Sequence, residues 1–576
     1  MKTEAVHPLK AMLGLTKPYK FQLLAVLLCL MVLAVFNLAM PKVLGFVIDN
    51  VFDPKEGAAS TDPVERLRLL PYVLIVVFVV YGMRNLLFYL AKTRVMVVGE
   101  RTAFELRQRL IRHLHALSVD FYQQNKPGKI SARIMQDVQA IKQFVQDELA
   151  NAMLNVLMFG VAAGIMFYME WFLALVTLAV LPFHVLVYYL FRKPIATYAR
   201  EAKEQIADLG GSLIEQFDGA ATVKASATQL LEQEKIRRSM HRGMRAQIKQ
   251  SRYYVLQKVA ADLLVGIGII ILFGVGGYLV VRKGTLSRGE FVAFFLYVGL
   301  LYPRLLELVG QAGKFARTSS SVERVFEILH IEPSVRESPQ GLPHEITHGR
   351  IEFRNVTFSY GNGSDNVLEN VSFTIEPREH VLVTGPSGSG KSTCTNLIPR
   401  FFDPQQGVIL IDGKDVREFT LTSLRRQIGL VFQDCFLFND TIMANIRYAA
   451  PEASDEAVIE VARQAYADEF IERMPHGYLS IIGEGGTQLS QGENRRLMIA
   501  RAILKSPKIL ILDEPLVSLD PVARERTVDG LAQLMKNRTV LTITHYPAEL
   551  PYAHKQLHVS DSKVAVRDLS GRILAF

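Results

Sequence analysis

Apolar residues are unevenly spread along this chain. Long apolar runs crowd its N-terminal half, and beyond residue 350 they shorten to the stretches of an ordinary α/β domain. A helix that crosses the hydrocarbon core of a bilayer needs about 20 mostly apolar residues. Six segments are of this kind: 21–46, 71–92, 148–169, 171–192, 257–281 and 290–312. Leu70–Leu90 and Asp262–Val281 meet the requirement most easily. The competing explanation is buried helices of a large soluble protein. So many long runs would need an implausibly large core.

The connections between the runs predict orientation. Segments 92–145 and 193–256 are long, charged and rich in Lys and Arg, whereas 47–70, the turn at Glu170-Trp171 and 282–289 are shorter. Positive residues favour the cytoplasmic side, so the N-terminus and both long segments are expected there. An even number of spans returns the C-terminal half to the same side, as expected of a multi-pass protein of the cell (inner) membrane. Arg282, Lys283 and Arg288 run against this pattern. Within Thr102–Leu117 apolar positions recur every three or four residues, which predicts helices extending the spans into the cytoplasm. Asn125-Lys126-Pro127-Gly128 and Asp218-Gly219 break these extensions. Three ionisable residues, Arg84, Asp262 and Glu307, fall toward the inner leaflet. Charges there are costly unless they face a cavity or a partner. They predict a polar vestibule, or else side chains that snorkel to the headgroups.

From Arg350 the period changes to that of strands, at Ile351–Tyr360 and Val371–Ile375. His380–Thr384 is a short apolar strand. It runs straight into Gly385-Pro386-Ser387-Gly388-Ser389-Gly390-Lys391-Ser392, a phosphate-loop pattern. Gly385, Gly388 and Gly390 let backbone N–H groups around Ser387 turn toward phosphate oxygens, and the following helix adds its positive end. Lys391 is expected to pair with the β- and γ-phosphates of ATP, Ser392 to ligate Mg²⁺, and Thr393 to add a phosphate hydrogen bond. Lys508–Leu512 is a second buried strand, followed by Asp513-Glu514. Asp513 is expected to hold Mg²⁺ through water and Glu514 to polarise the attacking water. A third strand, Val540–Thr544, ends at His545, which would reach the same sheet edge and the γ-phosphate.

Composition adds little to this picture. Of 576 residues, 49% are apolar, and the formal charge is +9. Mean hydropathy is +0.19. Beside apolar spans such a charge is matched by anionic lipid, so no nucleic-acid partner is expected. Cys29, Cys394 and Cys435 are widely spaced and suggest neither a disulfide framework nor a zinc site. The opening MKTEAVHPLKAML does not read as a removable signal peptide.

The order of the phosphate loop, Leu489-Ser490-Gln491-Gly492-Glu493 and Asp513-Glu514 resembles the nucleotide-binding domain of ATP-binding cassette (ABC) transporters. By that resemblance Tyr360 stacks on adenine. Gln433 is the glutamine that approaches Mg²⁺ and senses the membrane half. Ser490 and Gly492 grip the γ-phosphate bound to the opposite subunit. Asp520 is the acid of the D-loop, and His545 is the switch histidine. The first half is similar to the six-helix membrane domain of exporters, including the lipid A flippase and multidrug types. Asp120-Phe121-Tyr122 with Lys126-Pro127-Gly128 looks like its first cytoplasmic turn, Glu215–Lys224 like its second, and Gly284–Phe294 like the start of its sixth helix.

The resemblance implies a multidomain membrane protein: an all-α six-helix transmembrane domain over 1–325, a linker over 326–349, and an α/β P-loop ATPase domain over 350–576. It implies a half-size exporter that flips or exports a lipid, drug or peptide of amphipathic character. The partner is a second copy or a homologous half-transporter. An ATP-gated channel, a regulatory membrane protein and an importer-like use of the same architecture are the alternatives. The departures from the family pattern are Gln491 and Glu493 in the signature, Asn494 and Gly485 where arginine is usual, and Pro515 after Glu514. Glu493 sets an acid beside a site for an anionic nucleotide, which weighs against closure.

Overall fold

The computed structural model describes residues 12, 14–52, 69–337, 341–361, 365–433, 435–483, 486–517, 519, 521–544 and 553–569. The chain divides into two compact units. One takes in Met1–His113 and Gly128–His330, the other Leu114–Pro127 and Ile331–Phe576.

The first unit is built on six helices long and apolar enough to cross a membrane: α1 (Gly14–Phe52), α2 (Leu70–Ala116), α3 (Pro127–Met169), α4 (Trp171–Asp218), α5 (Gln229–Arg282) and α6 (Arg288–Leu329). Each outruns the apolar segment read from the sequence. The amphipathic connections continue the helices, as the period in Thr102–Leu117 predicts. Short helices adjoin the two expected breaks: Val119–Gln124 ends just before Asn125, and Ala220–Ala225 starts just after Gly219.

Apolar packing of this unit falls into two clusters. One gathers Leu38, Met166, Leu173, Leu272, Phe294 and Tyr297 from α1, α3, α4, α5 and α6. The other gathers Val26, Leu33, Val95 and Met158 from α1, α2 and α3. At the junction of α1 and α6 the backbones touch. A Cβ on Gly289 would lie 2.1 Å from the Gly45 carbonyl oxygen, so only glycine fits. Asp49 accepts the Gly289 N–H there at 2.8 Å, and Ser287 and Glu290 form a capping box that starts α6.

Polar links tie α3 to its neighbours. Two π-turns interrupt α3, Arg133–Asp137 and Phe144–Leu149. Each carries an acid that reaches another helix. Asp137 is buried and pairs with Arg324 of α6 and Arg133. Asp147 pairs with Lys92 of α2, and Glu148 with Lys314 of α6 at 2.7 Å. The wider π-turn rotates the side chains that follow it, which the periodicity of the sequence does not reveal.

The second unit holds two main sheets and a two-stranded ribbon of β7 (Asp440–Thr441) and β8 (Ile481–Ile482). Strands β1 (Ile351–Phe358), β2 (Leu368–Ile375), β4 (Gln406–Ile411) and β5 (Lys414–Asp415) form an antiparallel sheet in the order β2-β1-β4-β5. The larger sheet runs β12-β11-β3-β10-β9-β6. Its strands are β3 (His380–Thr384), β6 (Ile428–Val431), β9 (Ile509–Asp513), β10 (Thr539–Ile543), β11 (Lys555–Ser560) and β12 (Lys563–Asp568). Only β12 is antiparallel to its neighbour.

The parallel strands are buried on both faces, and alternate residues serve two cores. Val381, Val383, Ile511 and Leu541 face the antiparallel sheet and helix α7 (Lys391–Leu397). Leu382, Leu510, Leu512 and Val540 face helices α8 (Asp455–Gln464), α9 (Gln491–Lys505) and α10 (Pro521–Met535). The strands expected at Ile351–Tyr360, Lys508–Leu512 and Val540–Thr544 are present with shifts of one or two residues. The short turn near Val119–Gln124 belongs to this unit, and Ser118 Oγ accepts the Val335 N–H at 2.9 Å.

Candidate nucleotide site

The site begins where β3 ends. Gly385 has φ +146°, and a Cβ there would lie 2.1 Å from the Val559 carbonyl oxygen on β11. Gly388 and Gly390 have φ +79° and +103°. No residue with a side chain takes these three conformations cheaply, so the loop conformation depends on its glycines. The Lys391 ammonium donates to the Gly385 and Pro386 carbonyls at 2.9 and 2.8 Å. Its side chain therefore folds back along the loop and is only 7% exposed. Ser387 and Ser392 are exposed on the loop and on the first turn of α7.

Thr393 is buried, and its hydroxyl is 2.9 Å from the Tyr360 hydroxyl. Phe358 and Phe402 meet the Tyr360 ring edge to face, at 5.0 and 5.1 Å between centroids. Tyr360 stays 44% exposed. The ring expected to stack on adenine is thus fixed by a hydrogen bond to the phosphate-loop helix. The sequence gives no sign of that link.

Strand β9 delivers the acids. Asp513 closes the strand, and Glu514 follows with φ +45°, unusual for a residue with a side chain. The Glu514 N–H donates to Ile543 O of β10 at 3.0 Å, which holds the turn. The Gln433 amide donates to Glu514 Oε2 at 3.0 Å. Burial, and next the Glu514 carboxylate, push the Asp513 carboxyl above the usual carboxylate range. Lys391 and Arg495 pull the other way, so the phosphate loop, the acidic strand and α9 share one electrostatic site. Arg495 is a residue that motif reading misses. It is buried, and its guanidinium donates to Phe432 O at 2.8 Å, beside Gln433.

Ser490 caps α9: its N–H and hydroxyl bond to Glu493, and its carbonyl accepts the Asn494 N–H. Gly492 is buried in the first turn of α9. No hydrogen bond among the described residues joins Ser490 or Gly492 to the phosphate loop. Asp520 and His545 lie outside the described residues, as does Gly485.

The donor set suits a hard cation. Ser392, Gln433 and Asp513 offer hydroxyl, amide and carboxylate oxygen. Among the described residues no cluster of three His, Cys, Asp or Glu stands ready as a protein cage. Mg²⁺ is ordinarily bound through one or two carboxylates plus substrate phosphates, not by such a cage. The Glu514 carboxylate beside Asp513 adds negative charge at the strand end, which an added cation would offset.

In the membrane half, the Asn155 amide donates to Glu307 Oε2 at 2.8 Å, and Asn155 Oδ1 accepts from Arg304 at 3.1 Å. Arg84 instead lies over the ring of Tyr81, 5.5 Å from its centroid. Asp262 is exposed. Among the described residues no hydrogen bond or ion pair joins Arg84, Asp262 and Glu307.

A phosphate loop and an acidic strand on one edge of a parallel sheet, joined in one chain to six membrane-length helices, define a membrane transport ATPase. Residues 23–304 match the family model of the ABC transporter transmembrane region, and residues 368–517 match the ABC transporter family model. Proteins of Staphylococcus aureus strains NCTC 8325, Mu50 and bovine RF122 are 32% identical to this chain over 556 residues. That covers 96% of each sequence. These relatives bear the provisional name of multidrug export ATP-binding/permease protein. The chain belongs to the ABC transporter family and is an exporter-type half-transporter, an ATPase coupled to transmembrane transport.

Proposed function

We propose that two copies of this chain form an exporter that moves an amphipathic substrate across the cytoplasmic membrane by alternating access. The ATPase half then faces the cytoplasm. The observation that carries this reading is the meeting of Gln433 and Glu514 at the sheet edge, beside an Asp513 that feels Lys391. It sets a water-polarising acid next to the phosphate loop, in contact with a residue of the loop expected to sense the membrane half.

In this reading Tyr360 holds adenine, and Lys391 with the N–H groups of Gly385–Ser392 holds the phosphates. Glu514 orients the attacking water and takes its proton. Ser490 and Gly492 complete the site on the opposite subunit, with Asp520 and His545 at the closing face. Ser392, Gln433 and, through water, Asp513 would hold Mg²⁺, which would neutralise phosphate charge. One chain supplies both halves of a competent site, which favours a homodimer over a pairing with a homologous half-transporter.

The substrate's polar end is assigned to the Asn155–Arg304–Glu307 cluster. At 1.5 Å rise per residue, Asn155 lies about 20 Å in from the Trp171 end of its helix pair, and Glu307 lies still further in from Arg288. At that depth the cluster lies toward the inner end of a hydrocarbon core about 30 Å thick, where polar groups are tolerated facing a partner or a water-filled path. The relatives' naming for multidrug export agrees with an amphipathic substrate.

The test is Glu514→Gln in reconstituted vesicles. The variant binds ATP and loses nearly all turnover, by roughly 10²–10⁴-fold as for loss of a general base. Hydrolysis at the parent rate would remove Glu514 from this role.

A further inference from the structure

The first turn of α9 is closed by its own acid. Glu493 Oε2 accepts the Ser490 N–H at 2.8 Å and the Ser490 hydroxyl at 2.9 Å. The Glu493 N–H donates back to Ser490 Oγ at 3.3 Å. A serine hydroxyl has one proton to give. Here that proton goes to a carboxylate of the same chain. The carboxylate also sits at the positive end of a 15-residue helix, where an anion is most favoured.

We infer that Glu493 is a positioning residue that holds the signature serine back, so that closure of the ATP site starts from an occupied hydroxyl. The inference rests on the proposed role of Ser490 toward a γ-phosphate on the opposite subunit. To donate to that phosphate, the Ser490 hydroxyl must leave the Glu493 carboxylate. The phosphate must then approach a helix end that already carries a negative charge. Both effects raise the ATP concentration needed for closure.

A glutamine at this position keeps the capping box, but its neutral amide oxygen holds the Ser490 hydroxyl less tightly than a carboxylate does. It removes the charge, and its NH₂ group is a donor where the carboxylate is only an acceptor. The Arg496 guanidinium feels the Glu493 carboxylate but makes no described hydrogen bond to it. Arg496 is buried and lies over the Phe470 ring, 5.2 Å from its centroid, so its charge is directed into the domain.

The experiment compares the full-length parent, Glu493→Gln and Ser490→Ala in vesicles, with steady-state hydrolysis measured across ATP concentrations. Glu493→Gln lowers the KM for ATP by about threefold or more, with a smaller change in kcat, as expected for a residue that acts on site closure. Its thermal unfolding midpoint matches the parent's, because the cap survives. A KM for Glu493→Gln equal to or above the parent's overturns the inference. Ser490→Ala separates the two levels of the argument. If that variant hydrolyses ATP like the parent, the signature reading itself fails. If it is impaired while Glu493→Gln keeps the parent KM, only the hold on Ser490 fails.

Discussion

The Gln433 amide donates to the Glu514 carboxylate across 3.0 Å, joining two loops far apart in sequence. Glu514 is held in a left-handed turn by its N–H bond to Ile543 O. Its carboxylate is thus positioned from the backbone side and from the side-chain side. Gln433→Ala removes the second restraint and leaves the acid in place. Hydrolysis falls by roughly tenfold, a smaller loss than for Glu514→Gln, because positioning is lost and the base is kept. Single-turnover hydrolysis of the two variants checks the order. A Gln433→Ala variant as inactive as Glu514→Gln contradicts it.

Tyr360 separates a packing role from a stacking role. Tyr360→Phe keeps the ring between Phe358 and Phe402 and loses only the bond to Thr393. Tyr360→Ala removes the ring. Base–aromatic stacking contributes about 1–3 kcal/mol. Binding of a fluorescent ATP analogue is therefore expected to weaken by roughly 5- to 150-fold in the alanine variant. The phenylalanine variant stays within a few-fold of the parent. Equal weakening of both variants would assign the effect to the hydroxyl.

The Asp513 carboxyl is raised by burial and by Glu514. An acid raised in the folded state stabilises the fold below its unfolded value of about 3.9. It loses that contribution as pH rises through its folded value. At neutral pH the Asp513 carboxylate is therefore a cost to the fold. Asp513→Asn raises the thermal midpoint measured without nucleotide at pH 7, and the gain shrinks as pH falls toward 4. The same variant loses ATP hydrolysis. A lower midpoint at pH 7 would mean that the carboxylate is already compensated.

Cys394 sits in the core behind the phosphate loop, and burial pushes its thiol up to about 12. Only the thiolate reacts with alkylating agents. Iodoacetamide at pH 8 leaves Cys394 unmodified in the folded protein and modifies it after denaturation, as peptide mass spectrometry would show. Modification of the folded protein would mean that the loop opens locally.

Much of this architecture is legible in the residues. The six spans follow from run length alone, and the two breaks between long helices fall beside Pro127 and at Gly219. The phosphate loop is legible because its residues are contiguous. What escapes is built from distance. Gly385 is required by Val559, a residue on a strand much later in the chain. Asp137 and Asp147 look like solvated charges, until two π-turns aim them at α6 and α2. Strand β6 is too short to stand out, and buried Arg495 resembles any other basic residue of an amphipathic helix. Likewise Ser490 and Glu493 read as a signature and a departure from it, and only the folded turn shows that they bond to each other.

The central claim is that hydrolysis at Glu514 drives net movement of an amphipathic molecule out of the cytoplasm. The direct measurement is ATP-dependent accumulation in inside-out vesicles, using a fluorescent lipophilic cation and a short-chain fluorescent phospholipid as probes. The parent protein concentrates at least one probe inside the vesicles against its gradient, and Glu514→Gln concentrates neither. Equal accumulation with the Glu514→Gln variant, or ATP-gated ion current without uphill movement in the parent, would contradict the account.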